Sequence, residues 1–264
     1  MTTMAVYSIK GGVGKSTISV NLAVLSAMAG MRTLLLDLDP LGSSSYVLEV
    51  TAKKSHDGSA LVKGGKQLIK QIQPTELASL DVLPSSIAYR SLSLLFDAKK
   101  HSHHRLERRL DELKSYYDLL IIDASPTMSL VSENVLYAAD LLLVPVVPTP
   151  LSVLAYEQLV QELERMQLQK MAVHVVVSML DRRKKLQVET ASALLERKET
   201  LHSIIPFASE IEKMGENQRP VVLSRVKGRS ALAFQSLYEE LAEKIRLLAQ
   251  STREEANKRS DKDE

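Results

Sequence analysis

The sequence predicts an α/β fold, in which a mostly parallel, twisted sheet carries helices on both faces. Short apolar runs alternate along the chain with segments whose apolar residues recur at helical spacing. The apolar runs are nearly continuous, which is typical of strands buried on both faces of a parallel sheet. With 264 residues, of which 45% are hydrophobic, the chain is long enough for one large core. We therefore expect a single domain at residues 1–250 and a polar, flexible tail at 251–264.

The first two predicted strands flank a helix. The run MAVYSI has the composition of a strand, and TISVNLAVLSAMAG repeats apolar residues at helical spacing until Gly30 ends it. The second strand, in RTLLLDLDP, ends in Asp37 and Asp39. A polar, glycine-containing region at 51–66 follows, and after it we expect a short helix at 67–72 and a strand in LDVLPSS.

The remaining elements continue this alternation. Residues 88–117 have helical spacing with one strongly charged face, and YDLLIIDASP is predicted as a buried strand that again ends in an aspartate. Further strands are predicted in ADLLLVPVVPTP, MAVHVVVSML and HSIIPF, with helices in LAYEQLVQELERMQ, VETASALLERKETL and RSALAFQSLYEELAEKIRLLAQ. Ligands of such sheets bind beyond the carboxyl ends of the strands. One crevice is therefore expected to be bordered by Ile9, Asp39, Asp123, Pro145 and Met179.

Composition narrows the class of protein. The chain has no cysteine, which excludes disulfides, thiolate zinc sites and cysteine-ligated iron–sulfur clusters and fits a reducing cytoplasm. The first residues lack the pattern of an export signal, and no run approaches 18 uninterrupted apolar residues, so we expect a cytoplasmic protein without a stable membrane anchor. Because the net charge is only +2, any binding to nucleic acid must come from a local basic patch.

The segment IKGGVGKST carries the strongest functional pattern. A phosphate loop reads G-x-x-x-x-G-K-[ST], in which backbone N–H groups surround the phosphates, the lysine reaches the β/γ oxygens and the hydroxyl binds Mg²⁺. Gly14, Lys15 and Ser16 match it, but Ile9 takes the place of the first glycine and Lys10 follows it. A strand before and a helix after would place the phosphates at a helix N-terminus. We therefore expect a nucleotide to be bound by Gly11, Gly12, Val13, Gly14, Lys15, Ser16 and Thr17.

Two aspartates at strand ends are candidates for the chemistry. Asp123 closes the run LLIID, where a nucleotide hydrolase with this loop holds Mg²⁺ beside the loop hydroxyl, so Ser16 and Asp123 are the expected metal ligands. Asp39 precedes Pro40, where the chain leaves the sheet, and could orient or deprotonate a water that attacks the γ-phosphate. A helix cap at Asp123 and a structural turn at Asp39 are the alternatives.

Six segments carry a family resemblance through their order and spacing: KGGVGKST, LLLDLDPLGS, YDLLIIDASP, LLVPVVPT, SMLDRR and IIPF. They resemble the ParA/MinD family of deviant Walker A ATPases, which position DNA, division sites or other cargo in bacteria. The resemblance implies a Mg²⁺-dependent ATPase that forms a homodimer with two ATP molecules between the chains. It assigns catalytic roles to Lys10, Lys15 and Asp39, with Lys10 crossing to the partner's nucleotide, and places Pro206 on the adenine side.

The chain departs from the family pattern at several positions. Leu41 stands where glutamine is common, Ser125 where a proline pair usually begins, and Ala208 where asparagine is frequent. These changes bear on the polar contacts of the loop after Asp39 and on the adenine side, whereas the role of Asp39 itself is retained.

The resemblance also bears on DNA. Members that act on the nucleoid bind DNA without sequence preference, and Arg183 matches one of their arginines, whereas Glu210 replaces another. Clustered cations bind phosphates by releasing counterions, although a basic run is often only solvated. The resemblance therefore implies nucleoid association through nonspecific duplex DNA and a cargo-linked protein that stimulates hydrolysis. The expected DNA-binding residues are Arg182, Arg183, Lys184, Lys185 and Arg219, the last in a loose group with Arg225, Lys227 and Arg229.

Two other functions share some of these features. A MinD-like ATPase attaches to membranes through a C-terminal amphipathic helix, and the final predicted helix has Leu237, Leu241, Ile245 and Leu248 at helical spacing. Its other face mixes acidic and basic residues, so we expect this helix to pack on the domain. A biosynthetic enzyme that phosphorylates a small acid can share the phosphate loop, but no further substrate-binding pattern supports it.

Overall fold

A computed structural model describes residues 1–54, 56–98, 102–169, 171–224 and 228–260, with side chains described as far as residue 250. Within these residues one sheet of eight strands forms the centre of the molecule. The strands are β1 Thr2–Val6, β2 Thr33–Asp37, β3 Gln73–Pro74, β4 Leu80–Leu83, β5 Leu119–Asp123, β6 Leu141–Val146, β7 Ala172–Leu180 and β8 Thr200–Pro206.

Helices lie between the strands. Short 3₁₀ turns span Ile87–Ser91, Ser102–His104 and Val221–Leu223. The α-helices are α1 Lys15–Met28, α2 Ser43–Val47, α3 Ser59–Lys63, α4 Gly65–Ile69, α5 Leu92–Asp97, α6 Arg105–Asp111, α7 Leu130–Ala138, α8 Pro150–Arg165, α9 Lys185–Leu195, α10 Ser209–Asn217 and α11 Arg229–Ser260.

The strand order across the sheet is β3-β4-β2-β5-β1-β6-β7-β8. Every described pairing is parallel except that of the edge strand β3 with β4, so the predicted mostly parallel sheet is confirmed. Asp123, the last residue of β5, pairs with Val6 of β1 on one side and with Asp37 of β2 on the other. The loops that follow these three strands therefore leave the same edge of the sheet side by side.

Each face of the sheet has its own apolar core. Along β1, Ala5 belongs to one core, whereas Met4 and Val6 belong to the other, as the two-residue repeat of a strand requires. The first core also takes side chains from α5 to α9, and the second takes side chains from α1, α10 and α11. The predicted cover of helices on both faces is therefore confirmed.

The final helix packs on the domain, as the sequence analysis expects. Leu237, Leu241 and Ile245 of α11 are almost completely buried in the second core. The predicted domain boundary at residue 250 falls within α11, and residues 261–264 lie outside the described residues.

Several elements differ from those the sequence predicts. The helices α2, α3, α7 and α10 and the strand β3 are not predicted, because each has nine residues or fewer and such short segments depend on tertiary packing for their stability. The helix predicted at 67–72 ends at Ile69, since the chain turns into the edge strand at Gln73. The helix predicted through residue 201 ends at Leu195, because β8 begins at Thr200 and pairs with β7.

Candidate functional site

The loop between β1 and α1 is held against the end of a neighbouring strand. Gly14 has φ +90° at the N-terminus of α1, a backbone conformation that a side chain would strain. A Cβ atom there would also lie 3.1 Å from Ser178 Oγ. Ser178, near the end of β7, donates its hydroxyl to the carbonyl oxygen of Val13 at 2.8 Å. The end of β7 therefore fixes the position of the loop.

A cavity of about 740 Å³ opens above this loop. It lies between the loop, the segment that follows β2, the ends of β7 and β8, and α10. All seven predicted nucleotide-binding residues of the loop line it. Its wall consists of residues 11–18, Asp39, Leu41, Ser43, Tyr46, Val47, Pro126, Ser178, Met179, Ile205, Ile211, Glu212, Met214 and Gly215.

Lys15 lies inside the loop. Its side chain is buried, and Nζ donates to the carbonyl oxygen of Lys10 at 3.4 Å. Burial lowers the pKa of Lys15, and the nearby carboxylates of Asp123 and Asp39 oppose this shift. A buried cation without a paired carboxylate is suited to an anionic ligand such as a phosphate.

Lys10 points elsewhere. It does not line the cavity, and its Nζ donates to Thr149 Oγ1 at 3.4 Å, at the N-terminus of α8. The positive end of the helix dipole does not favour a cation there. The two lysines of the loop are therefore directed to different places: Lys15 lines the cavity above the loop, whereas Lys10 lies outside it.

Asp123 is completely buried at the end of β5. Its Oδ2 accepts a hydrogen bond from Ser44 Oγ at 2.6 Å, whereas Oδ1 has no hydrogen-bond partner among the described residues. Burial raises the pKa of Asp123 to about 6, and the hydroxyls of Ser44 and Ser16 and the charge of Lys15 oppose this shift. An unpaired buried carboxylate oxygen beside a serine hydroxyl is a donor set that fits Mg²⁺.

Asp37 is a buried carboxylate for which the sequence analysis predicts no role. Its Oδ2 accepts hydrogen bonds from the backbone N–H of Ser45 at 2.8 Å and from Ser45 Oγ at 2.7 Å. Burial and then the charge of Asp123 raise the pKa of Asp37 to about 7. The sequence signal was visible, since two aspartates end this strand, but burial of the first depends on the pairing of β2 with β5.

Asp39 lies in the turn after β2 and lines the cavity. Its Oδ1 accepts a hydrogen bond from the N–H of Leu41 at 3.0 Å, and its carbonyl oxygen accepts one from the N–H of Gly42 at 2.9 Å. The turn that the sequence analysis considered as an alternative is thus present, and the same residue faces the space above the phosphate loop. Leu41 is 84% exposed at the mouth of the cavity.

Pro206 ends β8 beside the cavity but does not line it, whereas Ile205 does. The apolar wall of this part of the cavity comes from Ile205, Met179 and Ile211. The residues of α10 were not predicted for the site, because neither a motif nor a strand end marks them. The role of Pro206 stays a prediction.

The basic segment at residues 182–185 follows β7 at the same edge of the sheet. Arg183 makes two hydrogen bonds to the carboxylate of Asp181, at 2.8 and 2.9 Å. The hydrogen bond from Arg183 lowers the pKa of Asp181 to about 2. Lys185 lies 3.7 Å from Glu189, and Arg182 makes no ion pair with a described residue. Arg183 is therefore paired with Asp181, and Arg182 is the cation of this segment without an ion pair to a described residue.

Arg219 lies apart from that segment. It lines a groove of about 430 Å³ with residues of the β3–β4 connection, and its Nε donates to the carbonyl oxygen of Leu223 at 3.2 Å. In the sheet, β4 is separated from β7 by β2, β5, β1 and β6. The structure therefore does not bring Arg219 together with Arg182–Lys185. Arg225 and Lys227, from the same loose group, lie outside the described residues.

No group of three acidic or histidine side chains in the described part of the chain is arranged to hold a metal ion. Mg²⁺ at a nucleotide needs only one or two protein ligands, because phosphates and waters supply the others.

Across the residues that the structure describes, none of the helices is long and apolar enough to span a bilayer.

Comparison with known proteins agrees with this architecture. Residues 1–175 match a family model described as an AAA domain. The chain is 28% identical over 246 residues to the sporulation initiation inhibitor protein Soj of Bacillus subtilis, covering 90% of this chain and 97% of Soj. Its fold resembles apo McdA of Cyanothece, with a TM-score of 0.79 and 20% identity over 91% of this chain and 99% of McdA. It also resembles the septum site-determining protein MinD of Pyrococcus horikoshii complexed with Mg-ADP, with a TM-score of 0.76 and 20% identity over 91% and 95% of the two chains.

Proposed function

Because the chain belongs to the ParA/MinD family of ATPases, we propose that it is a ParA-like enzyme that hydrolyses ATP and positions a cargo. In this proposal ATP binds above the phosphate loop and joins two copies of the chain. The dimer binds duplex DNA without sequence preference, and a cargo-linked protein stimulates hydrolysis. The observation that carries the proposal is the divergence of Lys15 and Lys10, one buried in the loop and the other outside the cavity.

The cavity supports binding of a nucleotide. Unpaired N–H groups at the start of α1 and the ammonium of Lys15 would bind the phosphates. The apolar side chains at the other end, including Met179 and Ile211, would contact the base. Ser16 and Asp123 would hold Mg²⁺, which neutralises phosphate charge when bound.

The carboxyl edge of the sheet supports association of two copies. Exposed apolar side chains follow five of its strands, β2, β5, β6, β7 and β8. A group of exposed apolar side chains around a functional cavity is typical of an interaction surface. We call this surface the apolar rim; it consists of Leu41, Met128, Leu151, Leu186 and Phe207.

Lys10 gives the dimer its dependence on ATP. The side chain leaves its own cavity, so it is free to meet the phosphates of a nucleotide held by the partner. A charge-assisted contact of this kind forms only while the partner carries ATP, and hydrolysis weakens it. Thr149 holds Lys10 by one weak hydrogen bond of 3.4 Å, which costs little to exchange.

The basic segment at 182–185 supports the proposed DNA binding. It leaves the same edge of the sheet as the apolar rim, so dimerisation would bring two such segments to one composite face. Two copies double the local cation count, although the chain carries a net charge of only +2. Phosphate binding by counterion release does not read base sequence.

Asp39 supports hydrolysis. Its carboxylate is in a turn that faces the cavity, within the segment that follows β2. A carboxylate in this position can orient or deprotonate the attacking water. Replacing Asp39 by alanine is expected to leave ATP binding intact, to slow turnover and so to accumulate the ATP dimer.

One experiment tests the proposed function as a whole. Size-exclusion chromatography with light scattering is run with Mg-ATP, Mg-ADP and no nucleotide, and each sample is then titrated with duplex DNA of two unrelated sequences. We expect a dimer and DNA binding with Mg-ATP alone, and equal affinity for both sequences. A protein that stays monomeric with ATP, or binds liposomes of anionic lipid but no DNA, contradicts the proposal.

The membrane alternative receives no support from the final helix. Leu237, Leu241 and Ile245, the apolar face that would contact lipid, are buried in the core. For the biosynthetic alternative, the sequence shows no further substrate-binding pattern beside the phosphate loop.

A further inference from the structure

Ser85 joins two neighbouring strand ends beside the candidate catalytic aspartate. It is the second residue after β4, which pairs with β2 in the sheet. Its Oγ donates to the carbonyl oxygen of Asp39 at 2.5 Å. Its backbone N–H donates to Ser45 Oγ at 2.9 Å, and that hydroxyl donates to Asp37 Oδ2 at 2.7 Å. We call Ser45 and Ser85 the serine clamp.

The serine clamp restrains the turn that carries Asp39. Asp39 lies beyond the last residue of β2, so strand pairing does not fix it. Within the turn, Gly42 has φ +67°, and a Cβ atom there would lie 3.4 Å from Ser85 Cβ. The turn therefore packs closely on Ser85, and the clamp ties it to β4 and to the buried Asp37.

Ser85 lies outside the cavity that is proposed to bind the nucleotide. It does not line the cavity, whereas Asp39 does. A contribution of Ser85 to hydrolysis must therefore pass through the backbone position of Asp39. Ser85 donates its hydrogen bond to the carbonyl oxygen of Asp39 and not to its carboxylate. The carboxylate therefore remains hydrogen-bonded to the N–H of Leu41 within the turn.

We propose that Ser85 is a positioning residue for ATP hydrolysis, which fixes the turn so that the Asp39 carboxylate faces the attacking water. This inference rests on the proposed function. It goes beyond the proposed function in naming a hydroxyl of the segment after β4, outside the cavity, as a determinant of the hydrolysis rate.

The first measurement separates rate from binding. A neutral hydrogen bond contributes about 1 kcal/mol, and about 1.4 kcal/mol corresponds to tenfold in rate. Ser85→Ala is therefore expected to lower kcat by about 3- to 10-fold and to change ATP affinity by less than about twofold. Ser91→Ala is the matched control, because Ser91 is an exposed serine of the same segment. Ser85→Thr keeps the hydroxyl and should restore turnover.

A double-mutant cycle shows whether Ser85 acts through Asp39. Residual turnover is measured for Asp39→Ala with and without Ser85→Ala under single-turnover conditions. If Ser85 positions Asp39, its removal has no further effect once the carboxylate is gone. A merely structural role lowers turnover by the same factor in both backgrounds and overturns the inference.

The remaining outcomes are also decisive. Unchanged kcat in Ser85→Ala overturns the inference while leaving the proposed function in place. No hydrolysis by the unmodified chain overturns the proposed function, and the inference with it. If Ser85→Ala does not fold, the isosteric pair Ser85→Thr and Ser85→Val gives the same test, because the two differ by the hydroxyl. Equal turnover of that pair overturns the inference.

Discussion

At the scale of single residues, the two lysines of the loop differ in burial and direction. Lys15 is buried and is hydrogen-bonded within the loop, whereas Lys10 lies beside Thr149 at the start of α8. Because the two side chains lie in different places, replacing each is expected to affect a different step.

Lys15→Ala is expected to weaken nucleotide binding by about tenfold or more. The loop would lose its buried cation, and a charge-assisted hydrogen bond of this kind contributes about 1.5–3 kcal/mol, or roughly tenfold to more than a hundredfold in affinity. Isothermal titration with Mg-ATP measures the change. Lys66→Ala, which removes an exposed lysine of α4, is the control. Unchanged ATP affinity in Lys15→Ala would contradict the phosphate-loop assignment.

Lys10→Ala is expected to leave ATP affinity of the monomer within about twofold, because this side chain does not line its own cavity. The ATP-dependent dimer should weaken, since a charge-assisted contact to the partner's phosphates is lost. Analytical ultracentrifugation with Mg-ATP measures dimerisation. A dimer of unchanged stability together with normal turnover would show that Lys10 does not act on the partner.

The buried pair Asp37 and Asp123 makes stability depend on pH. Burial raises both pKa values above the unfolded value of 3.8, to about 7 and about 6. The folded chain then binds protons more tightly than the unfolded chain between about pH 4 and 7, so its stability falls as pH rises through this range. Asp123→Asn removes one buried charge and is expected to raise the melting temperature of the nucleotide-free protein at pH 8.

A shift of about two pKa units corresponds to about 3 kcal/mol, and therefore to several degrees in melting temperature for a chain of this size. The difference between Asp123→Asn and the unmodified protein should shrink towards pH 4, where the wild-type carboxyl is protonated. Asp97→Asn, at an exposed position, is the control. A stability difference that does not vary with pH would show that burial of the charge is not its cause.

At the scale of elements, the turn between β7 and α9 carries the cations proposed to bind DNA. Arg183 donates two hydrogen bonds to the carboxylate of Asp181, and Lys184 Nζ lies 4.0 Å from Asp181 Oδ2. Arg182 and Lys184 are therefore freer to bind phosphates than Arg183, the residue that the sequence comparison singles out. A hydrogen bond from the N–H of Asp181 to Gln187 Oε1 ties the base of this turn to α9.

The double variant Arg182→Ala/Lys184→Ala is expected to weaken DNA binding equally for all sequences. Each phosphate contact contributes about −0.9 to the slope of log affinity against log salt, so removing two cations per chain should flatten the slope of a dimer by up to about 3 to 4. Fluorescence anisotropy from low to high salt measures it. Lys63→Ala/Lys66→Ala loses the same charge at α3 and α4 and is the control. An unaltered slope would reject this turn as the DNA contact.

At the scale of the whole molecule, one edge of the sheet gathers the cavity, the basic turn and the apolar rim. Parallel strands make this possible, because their carboxyl ends all face the same way. Leu151, at the start of α8, is 71% exposed within this rim. It does not line the nucleotide cavity, so it can report on association without affecting ATP binding directly.

Leu151→Glu is expected to weaken the ATP-dependent dimer by tenfold or more, because it buries a carboxylate at the interface. ATP affinity should change by less than about twofold. Met28→Glu is the matched control, since Met28 is 59% exposed at the end of α1, on the opposite edge of the sheet. Light scattering with Mg-ATP compares the two. Equal dimerisation of both variants would place the interface elsewhere.

Much of the fold could be predicted from the sequence, because long apolar runs and helical spacing are local signals. The sequence located seven of the eight described strands, and the loop residues from Gly11 to Thr17 all line the cavity. The edge strand β3 and the short helices α2, α3 and α10 have few residues and draw their stability from tertiary packing, which a local pattern does not report. The contribution of α10 to the cavity was missed for this reason.

The sequence by itself determined the order of seven strands and of the longer helices, the phosphate loop and its two lysines, since these depend on residue types at short spacings. Only the tertiary structure decided that Asp37 and Asp123 form a buried pair, because β2 and β5 are distant in sequence and adjacent in the sheet. It also decided that Asp181 binds Arg183, that Arg219 lies elsewhere and that Ser85 holds the turn of Asp39. Contacts between distant segments depend on sheet order and register, which a linear pattern does not specify.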